Sequence, residues 1–218
     1  MTKRKIEYRV IPPESDAEFV ANMEHVLETY ENPYDSNCPV ICMDEQPVQL
    51  VKETRQPIPA TKTHARRVDY EYERAGTASI FMFTEPLSGW RQATARQRRT
   101  KVDWAQEMAR HLEGRYANCE KIILICDNFN THTKGAFYEV FEPAKARALT
   151  RRIEFCYTPK HGSWLNIAEN ELSSMTRQCL NDRRIGELET LQEVIDAWPQ
   201  GRRRIQARYE KRAGLRPD

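Results

Sequence analysis

Apolar residues occur along this chain in two kinds of block, separated by charged stretches. Apolar positions at helical spacing predict helices over 14–30, 102–112, 137–144, 166–180 and 188–198. Short apolar runs bounded by turn residues predict strands over 39–43, 78–83, 90–96, 121–126 and 153–157. The charged and weakly periodic residues 52–74 are expected to form a long irregular segment. Ser15 or Asp16 is expected to cap the first helix, Gly114 to end the second and Pro143 to break the third.

The order of these elements constrains how the strands assemble. The second and third strands, joined by a turn at Pro86–Gly89, form a hairpin that follows the first strand. Helices separate the last two strands. A meander followed by helical crossovers predicts an α/β fold with a mixed five-stranded sheet, in which strand one lies beside the later, parallel strands.

Length and composition indicate one globular domain without a membrane anchor. The chain has 218 residues, 39% hydrophobic and 30% charged, and its mean hydropathy is −0.78. Its apolar runs are shorter than the roughly 18 residues needed to span a bilayer, and its first residues lead into no signal-peptide core. We therefore expect a soluble, non-exported protein.

The cysteines are expected to be reduced. Cys126 and Cys156 lie within apolar, strand-like runs, and the sequence contains no Cys-x-x-Cys pair. Buried thiols in a cytosolic protein are the better interpretation, and a zinc site is not expected. The set comprises Cys38, Cys42, Cys119, Cys126, Cys156 and Cys179.

Basic residues are unevenly placed, although the net charge is only +2. Residues 91–101 carry no acid, and residues 201–218 are rich in arginine. Such blocks suit a polyanionic partner, and the alternative is a solvated surface or a frayed tail. The basic residues of the first block are Arg91, Arg96, Arg98, Arg99 and Lys101.

Two of the predicted strands end in the same way, with an apolar run followed by an acid. The acids are Asp44 and Asp127. If the strands are neighbours and parallel, these carboxylates face each other at the edge where ligands collect in α/β sheets, and a hard cation such as Mg²⁺ relieves their repulsion. The alternative is that each aspartate merely begins a loop.

A third acid is expected from a helix packed at the same edge. Glu169 is the candidate, because it follows a short segment rich in functional side chains. Asn166 and Glu169 also have the spacing of a helix capping box, which is the structural alternative. Glu171 is a weaker candidate for the third acid.

Three motifs together resemble the catalytic core of bacterial insertion-sequence transposases, the DDE-type endonucleases of the mariner-like superfamily. They are Met43-Asp44-Glu45, then Cys126-Asp127-Asn128 with Asn130-Thr131-His132, and residues 157–169. The resemblance implies a ribonuclease-H-like fold over most of the chain. It also implies that Asp44, Asp127 and Glu169 form the catalytic triad that binds two Mg²⁺ or Mn²⁺ ions. Motif positions expected to shape the site are Asn128, His132, His161, Trp164 and Asn166.

The implied function is metal-dependent cleavage and transfer of DNA strands during transposition of an insertion sequence. The implied partner is double-stranded DNA, bound by a homodimer in the bacterial cytoplasm at the nucleoid, with the block 91–101 contacting phosphates. The expected organisation is an N-terminal helix and linker (1–36), the catalytic domain (37–198) and a basic tail (199–218). One alternative is a catalytically idle remnant that binds DNA or a sister transposase, and another is an unrelated Mg²⁺-dependent phosphohydrolase.

Overall fold

The computed structural model describes residues 17–181 and 183–198, which form one sheet and the helices around it. The strands are β1 (Val40–Glu53), β2 (Tyr72–Glu85), β3 (Trp90–Arg96), β4 (Ile122–Cys126) and β5 (Ile153–Tyr157). The helices are α1 (Ala17–Glu31), α2 (Lys101–Glu113), α3 (Lys134–Val140), α4 (Pro143–Thr150), α5 (Ile167–Met175) and α6 (188–198). A 3-10 turn (Ser163–Leu165) precedes α5, and a π-helical turn (Thr176–Leu180) follows it.

The sheet has the strand order β3-β2-β1-β4-β5. The first three strands pair antiparallel, whereas β4 runs parallel to both β1 and β5. The predicted mixed five-stranded sheet, with strand one between the hairpin and the parallel strands, is confirmed. This topology brings the carboxyl end of β4 beside the first residues of β1, where Cys42 pairs with Ile125.

Helices cover both faces of the sheet, so each strand alternates between two cores. Val40 and Cys42 of β1 face α1, α5 and α6, where Val26, Leu172 and Ile195 are buried. Ile41 and Met43 face α2, α3 and α4, with Trp104 and Phe137 at the centre. Because both faces are covered, β4 is a continuous apolar run rather than an alternating one.

The prediction that strand one ends at Asp44 is wrong. β1 continues to Glu53, because β2 pairs with it over its whole length from Cys42. Pro47 obscured this continuation, since proline argues against a central strand. In the part of the chain that the structure describes, no strand pairs with the other edge of β1 beyond Cys42, so the missing N–H of Pro47 breaks no ladder there. The irregular segment is correspondingly shorter than predicted and spans residues 54–71.

The predicted helix signals are largely confirmed within the described residues. Gly114 caps the end of α2 as predicted, and Thr100 and Asp103 form a capping box at its start that was not predicted. Pro143 is the first residue of α4, which explains the break after α3. The caps suggested at Ser15 and Asp16 and the basic tail 199–218 lie outside the described residues, and within those residues no helix is long and apolar enough to cross a bilayer.

Candidate active site

Asp44 occupies the centre of the candidate site, on β1 beside the end of β4. The last paired rung joins Cys42 to Ile125, so Asp44 and Asp127 each lie two residues beyond it on adjacent parallel strands. The backbone N–H of Glu45 donates to Oδ1 of Asp44 at 2.7 Å. Burial, together with the negative charges of Asp127, Glu45 and Glu169, raises the pKa of Asp44 to about 6 despite that hydrogen bond. The three predicted acids therefore share one electrostatic environment.

Asp127 is held by a buried histidine. His132, only 1% exposed, places Nδ1 2.6 Å from Oδ1 of Asp127 and Nε2 3.0 Å from Oε1 of Glu45. Burial would lower the pKa of His132, but its contacts with Asp127, Cys126 and Glu45 raise it well above the usual range. His132 thus lies between two carboxylates, an arrangement that favours the positively charged imidazolium.

Glu169 lies on the first turn of α5, and Asn166 fixes that helix against β1. The Asn166 side chain accepts from the N–H of Ala168 at 3.1 Å and donates to the carbonyl oxygen of Met43 at 2.9 Å. Glu169 forms no capping box with Asn166; its carboxylate is exposed and lies 3.5 Å from the Ser163 hydroxyl. The side chain of Glu169 is thus not used as a cap, and Asn166 links its helix to the residue that precedes Asp44.

The donor chemistry of this cluster fits a hard divalent cation. Oδ1 of Asp127 is buried 2.6 Å from Nδ1 of His132, whose N–H is directed at the backbone oxygen of Asp127 (3.2 Å), so Oδ1 has an ion-pair contact but no aligned hydrogen bond among the described residues. Carboxylate oxygens are the ligands that Mg²⁺ and Mn²⁺ prefer. Within the described residues, no three acidic, histidine or cysteine side chains already stand as a ligand set, so the carboxylates must turn toward an ion to bind it.

The remaining predicted site-shaping residues lie on the surface around the acids. Asn128 and His161 are exposed, and Trp164 is 61% exposed on the 3-10 turn before α5. His161 has a φ of 66°. A Cβ at the adjacent Gly162 would lie 2.5 Å from the side chain of Pro159, so the tight segment before α5 requires glycine there. This segment presents Trp164 to solvent rather than to the core.

The basic block 91–101 divides into two groups. Arg91 pairs with Glu171 at 2.8 Å, Arg96 with the buried Glu107 at 2.7 Å and Lys101 with Glu139 at 3.3 Å. Arg98 and Arg99 are exposed and form no ion pair within the described residues. Arg99 lines a cleft of about 110 Å³ together with Asp44, Glu45 and Asp127. Of the five predicted DNA contacts, the structure therefore brings Arg99 to the acids and engages three others within the protein.

Two residues of the site were not anticipated. Glu45 was quoted only as part of a motif, yet it anchors His132 from the strand that carries Asp44. Tyr157, at the end of β5, donates to the carbonyl oxygen of His132 at 2.9 Å. In the sequence, the position of Glu45 next to Asp44 was the available signal of a site residue. Because side chains alternate along a strand, that position predicts that Glu45 points to the opposite face of the sheet from Asp44. No local signal identified its partner, because Glu45 and His132 are 87 residues apart.

Comparison with protein families yields one match that covers most of the chain. The family model described as DDE superfamily endonuclease matches residues 39–192, from the start of β1 into α6. The matched range contains Asp44, Asp127 and Glu169. No curated protein sequence matches the chain.

Comparison with solved structures shows the fold. The Mos1 mariner paired-end complex with Mn has a TM-score of 0.54 at 15% identity, and the Mos1 strand transfer complex a TM-score of 0.58 at 14% identity. Both matches cover 91% of this chain, which spans about 60% of the length of those proteins. The mixed sheet flanked by helices is thus the ribonuclease-H-like fold of these catalytic domains, as expected from the sequence.

Proposed function

The chain belongs to the DDE superfamily endonucleases, and on that premise we propose that it is the catalytic domain of a transposase. In this proposal it cleaves DNA strands at the ends of a bacterial insertion sequence and joins them to a target. The reaction depends on Mg²⁺ or Mn²⁺, bound as two ions by Asp44, Asp127 and Glu169. The neighbouring Mos1 structures are described as paired-end complexes, one with the left transposon end, which favours transposon-end DNA and a homodimer as partners.

The observation that carries the proposal is the surplus of acidic side chains around Asp44. Burial and the charges of Asp127, Glu45 and Glu169 raise the pKa of Asp44, while His132 alone forms ion pairs with Asp127 and Glu45 among the described residues. Such an arrangement is unfavourable for the apoprotein and becomes favourable when a divalent cation is bound. A bound pair of such ions supplies an activated attacking oxygen and a stabilised leaving oxygen for in-line phosphoryl transfer.

The protein's own residues position the reacting groups. Glu45, through His132, holds Asp127 at the end of β4, and Asn166 holds the helix of Glu169 against Met43. Arg99 lines the same cleft as Asp44 and Asp127, and in this proposal its guanidinium contacts a phosphate of the bound strand. The exposed Trp164 offers a face on which a base near the scissile phosphate stacks.

The test is nicking of supercoiled plasmid by the purified chain in Mg²⁺ or Mn²⁺. We expect Asp44→Asn, Asp127→Asn and Glu169→Gln each to lower nicking by more than about 100-fold without loss of the fold, because each removes an anionic metal ligand. Glu171→Gln is the matched control: it lies one half-turn from Glu169 on the same helix but pairs with Arg91. It is expected to retain nicking.

The outcomes separate the candidate functions. Metal-dependent nicking that persists in the Asp127→Asn protein contradicts the triad. A wild-type chain that binds DNA but never nicks it supports the idle remnant instead. Ca²⁺ is expected to bind without supporting turnover, since its looser geometry positions the reacting atoms poorly. Tight Zn²⁺ binding that depends on the cysteines contradicts an all-oxygen site.

A further inference from the structure

A second cleft lies along β5, the edge strand of the sheet. Its volume is about 470 Å³, and its lining combines cationic and aromatic side chains. The cations are Lys121, Lys134 and Arg151, and the aromatic rings are Phe155 and Tyr157. A cleft of this size matches a ligand of a few hundred cubic ångströms rather than a DNA duplex. We refer to it below as the β5 groove.

The cations of the β5 groove are not neutralised by the protein. Lys121, Lys134 and Arg151 form no ion pair and no side-chain hydrogen bond within the described residues. Glu154 is the one acid in the lining of this cleft. By contrast, Arg152, next to Arg151 in sequence, donates to backbone carbonyl oxygens of Leu112 and Cys119 at 2.9 and 3.0 Å. The groove therefore carries net positive charge that is available to an anion.

The aromatic rings present an apolar surface between these charges. The rings of Phe155 and Tyr157 stack with centroids 5.3 Å apart and an interplanar angle of 24°. Both residues are half-buried, so each ring has an accessible part. Cations interleaved with partly accessible aromatic rings characterise surfaces that bind single-stranded nucleic acid, with phosphates at the cations and bases stacked on the rings.

The groove is connected to the candidate active site by one short segment. Asp127, Phe129 and Thr131 line the cleft that contains Asp44, whereas Lys134, three residues further on, lines the β5 groove. Tyr157 contacts this segment directly through its hydrogen bond to the carbonyl oxygen of His132. A DNA strand that leaves the carboxylates past Thr131 reaches the groove at Lys134 and Tyr157.

We propose that the β5 groove binds single-stranded DNA, namely the stretch of nucleotides continuous with the strand cut at Asp44 and Asp127. Lys134, Arg151 and Lys121 bind its phosphates, and Phe155 stacks on one base. The inference rests on the proposed function for the identity of the ligand. Apart from the identity of the ligand, we infer a binding site outside the acidic triad that distinguishes single-stranded DNA from duplex DNA.

The experiment measures the binding of a labelled eight-nucleotide oligothymidine by fluorescence anisotropy, in EDTA so that no cleavage occurs. Lys134→Ala/Arg151→Ala is expected to weaken binding about tenfold. The slope of log affinity against log salt is expected to flatten by about 1.4, since each single-strand phosphate contact contributes about 0.7. The matched control is Arg177→Ala/Arg183→Ala, which removes two exposed arginines that form no ion pair with the described residues. It is expected to change both quantities much less.

Base stacking is tested separately with Phe155→Leu, which keeps an apolar side chain but removes the ring. We expect binding of oligothymidine to weaken about fivefold and binding of an abasic strand of equal length to remain unchanged. Phe141→Leu, which alters a half-buried ring outside the groove, is the control. Thermal unfolding within about 2 °C of wild type is required of every variant, and Lys134→Gln replaces the double variant if it fails this criterion.

The results decide the proposal independently of catalysis. Wild-type affinity and salt slope in the Lys134→Ala/Arg151→Ala protein overturn it, even if plasmid nicking is intact. An equal loss of affinity for duplex and single strand also overturns it, since the groove would then be a general phosphate surface. Loss of nicking in the triad variants with unchanged oligothymidine binding leaves it standing, because binding in EDTA does not require metal.

Discussion

Two carboxylate clusters lie near opposite ends of α2, and the protein compensates their negative charge to different degrees. After the helix, Glu85 accepts from Arg115 at 2.6 Å, Ser88 at 2.8 Å and Tyr116 at 2.9 Å. Burial alone would raise the pKa of Glu85, but these hydrogen bonds hold it below its usual range. Before the helix, Arg99 lines the cleft of Asp44, whose pKa is raised to about 6.

The difference separates a structural carboxylate from one in the proposed metal site. Glu85 is 1% exposed and has a cation and two hydroxyl donors, so its charge is compensated within the fold. Asp44 is surrounded by further acids, and among the described residues His132 is the one buried basic side chain that forms ion pairs with them. A carboxylate whose charge is compensated is compatible with a structural role, whereas the acidic surplus at Asp44 is what the proposed cation would neutralise. The comparison predicts opposite responses to substitution at the two clusters.

The largest effect is expected from Arg115→Met, which leaves the carboxylate of Glu85 buried without its cation. We expect the free energy of unfolding to fall by about 2–3 kcal/mol, less than for a fully buried pair because Arg115 is partly exposed. Urea unfolding measures this change. The double variant Arg115→Met/Glu85→Gln should recover part of the loss, and failure to recover any contradicts the assigned pairing.

A smaller effect is expected from protonation of His111, which packs beside this cluster against Phe83 at 4.1 Å between ring centroids. Burial and the charge of Arg110 lower its pKa to about 4. Because the folded pKa is below the ordinary value of 6.5, neutral His111 is compatible with the fold above pH 6.5, and stability is lost as the pH falls toward 4. At pH 5 the loss is about 1–2 kcal/mol. In His111→Phe this part of the pH dependence should disappear; unchanged pH dependence in chemical unfolding assigns it to other groups.

The smallest effect has the opposite sign. Asp44→Asn removes one charge from the acidic surplus and is expected to raise the free energy of unfolding by about 1 kcal/mol without metal. The gain should vanish relative to wild type at saturating Mg²⁺, which binds the wild-type site and not the variant. Calorimetric unfolding with and without Mg²⁺ measures both. A destabilised Asp44→Asn protein in EDTA would mean that the carboxylate is already compensated.

The parts of the fold that sequence predicted are those determined by neighbours along the chain. The apolar run of β4, the hairpin turn at Pro86–Gly89 and the break at Pro143 each follow from local preferences. The length of β1 does not follow from local preferences. Pro47 argues against a strand unless the edge of β1 that faces away from β2 is known to be unpaired at that residue. The family and the enzyme class expected from the three motifs are confirmed by the match to residues 39–192.

The ion pairs between side chains around the site could not be predicted from the sequence. The block 91–101 reads as uniformly basic, yet Arg91 is paired with Glu171, 80 residues away. Arg96 is paired with Glu107, on the helix that follows. Such partners are fixed by how the elements pack, and no local pattern reports them. Contact of Arg91, Arg96, Arg98, Arg99 and Lys101 with DNA stays a prediction, as do the roles of the triad and of Asn128, His161 and Trp164.

The hydrogen bond of the Asn166 amide bears on the stage of folding at which the acids of the candidate site come together. It joins α5 to Met43, a residue 123 positions earlier, so Glu169 reaches Asp44 only after nearly the whole domain has been synthesised and folded. Contacts of such long sequence separation form late, because loop closure must precede them. A partly folded chain therefore lacks the third acid of the proposed triad. In the proposed function, metal binding and DNA cleavage would depend on completion of the fold rather than on any single element.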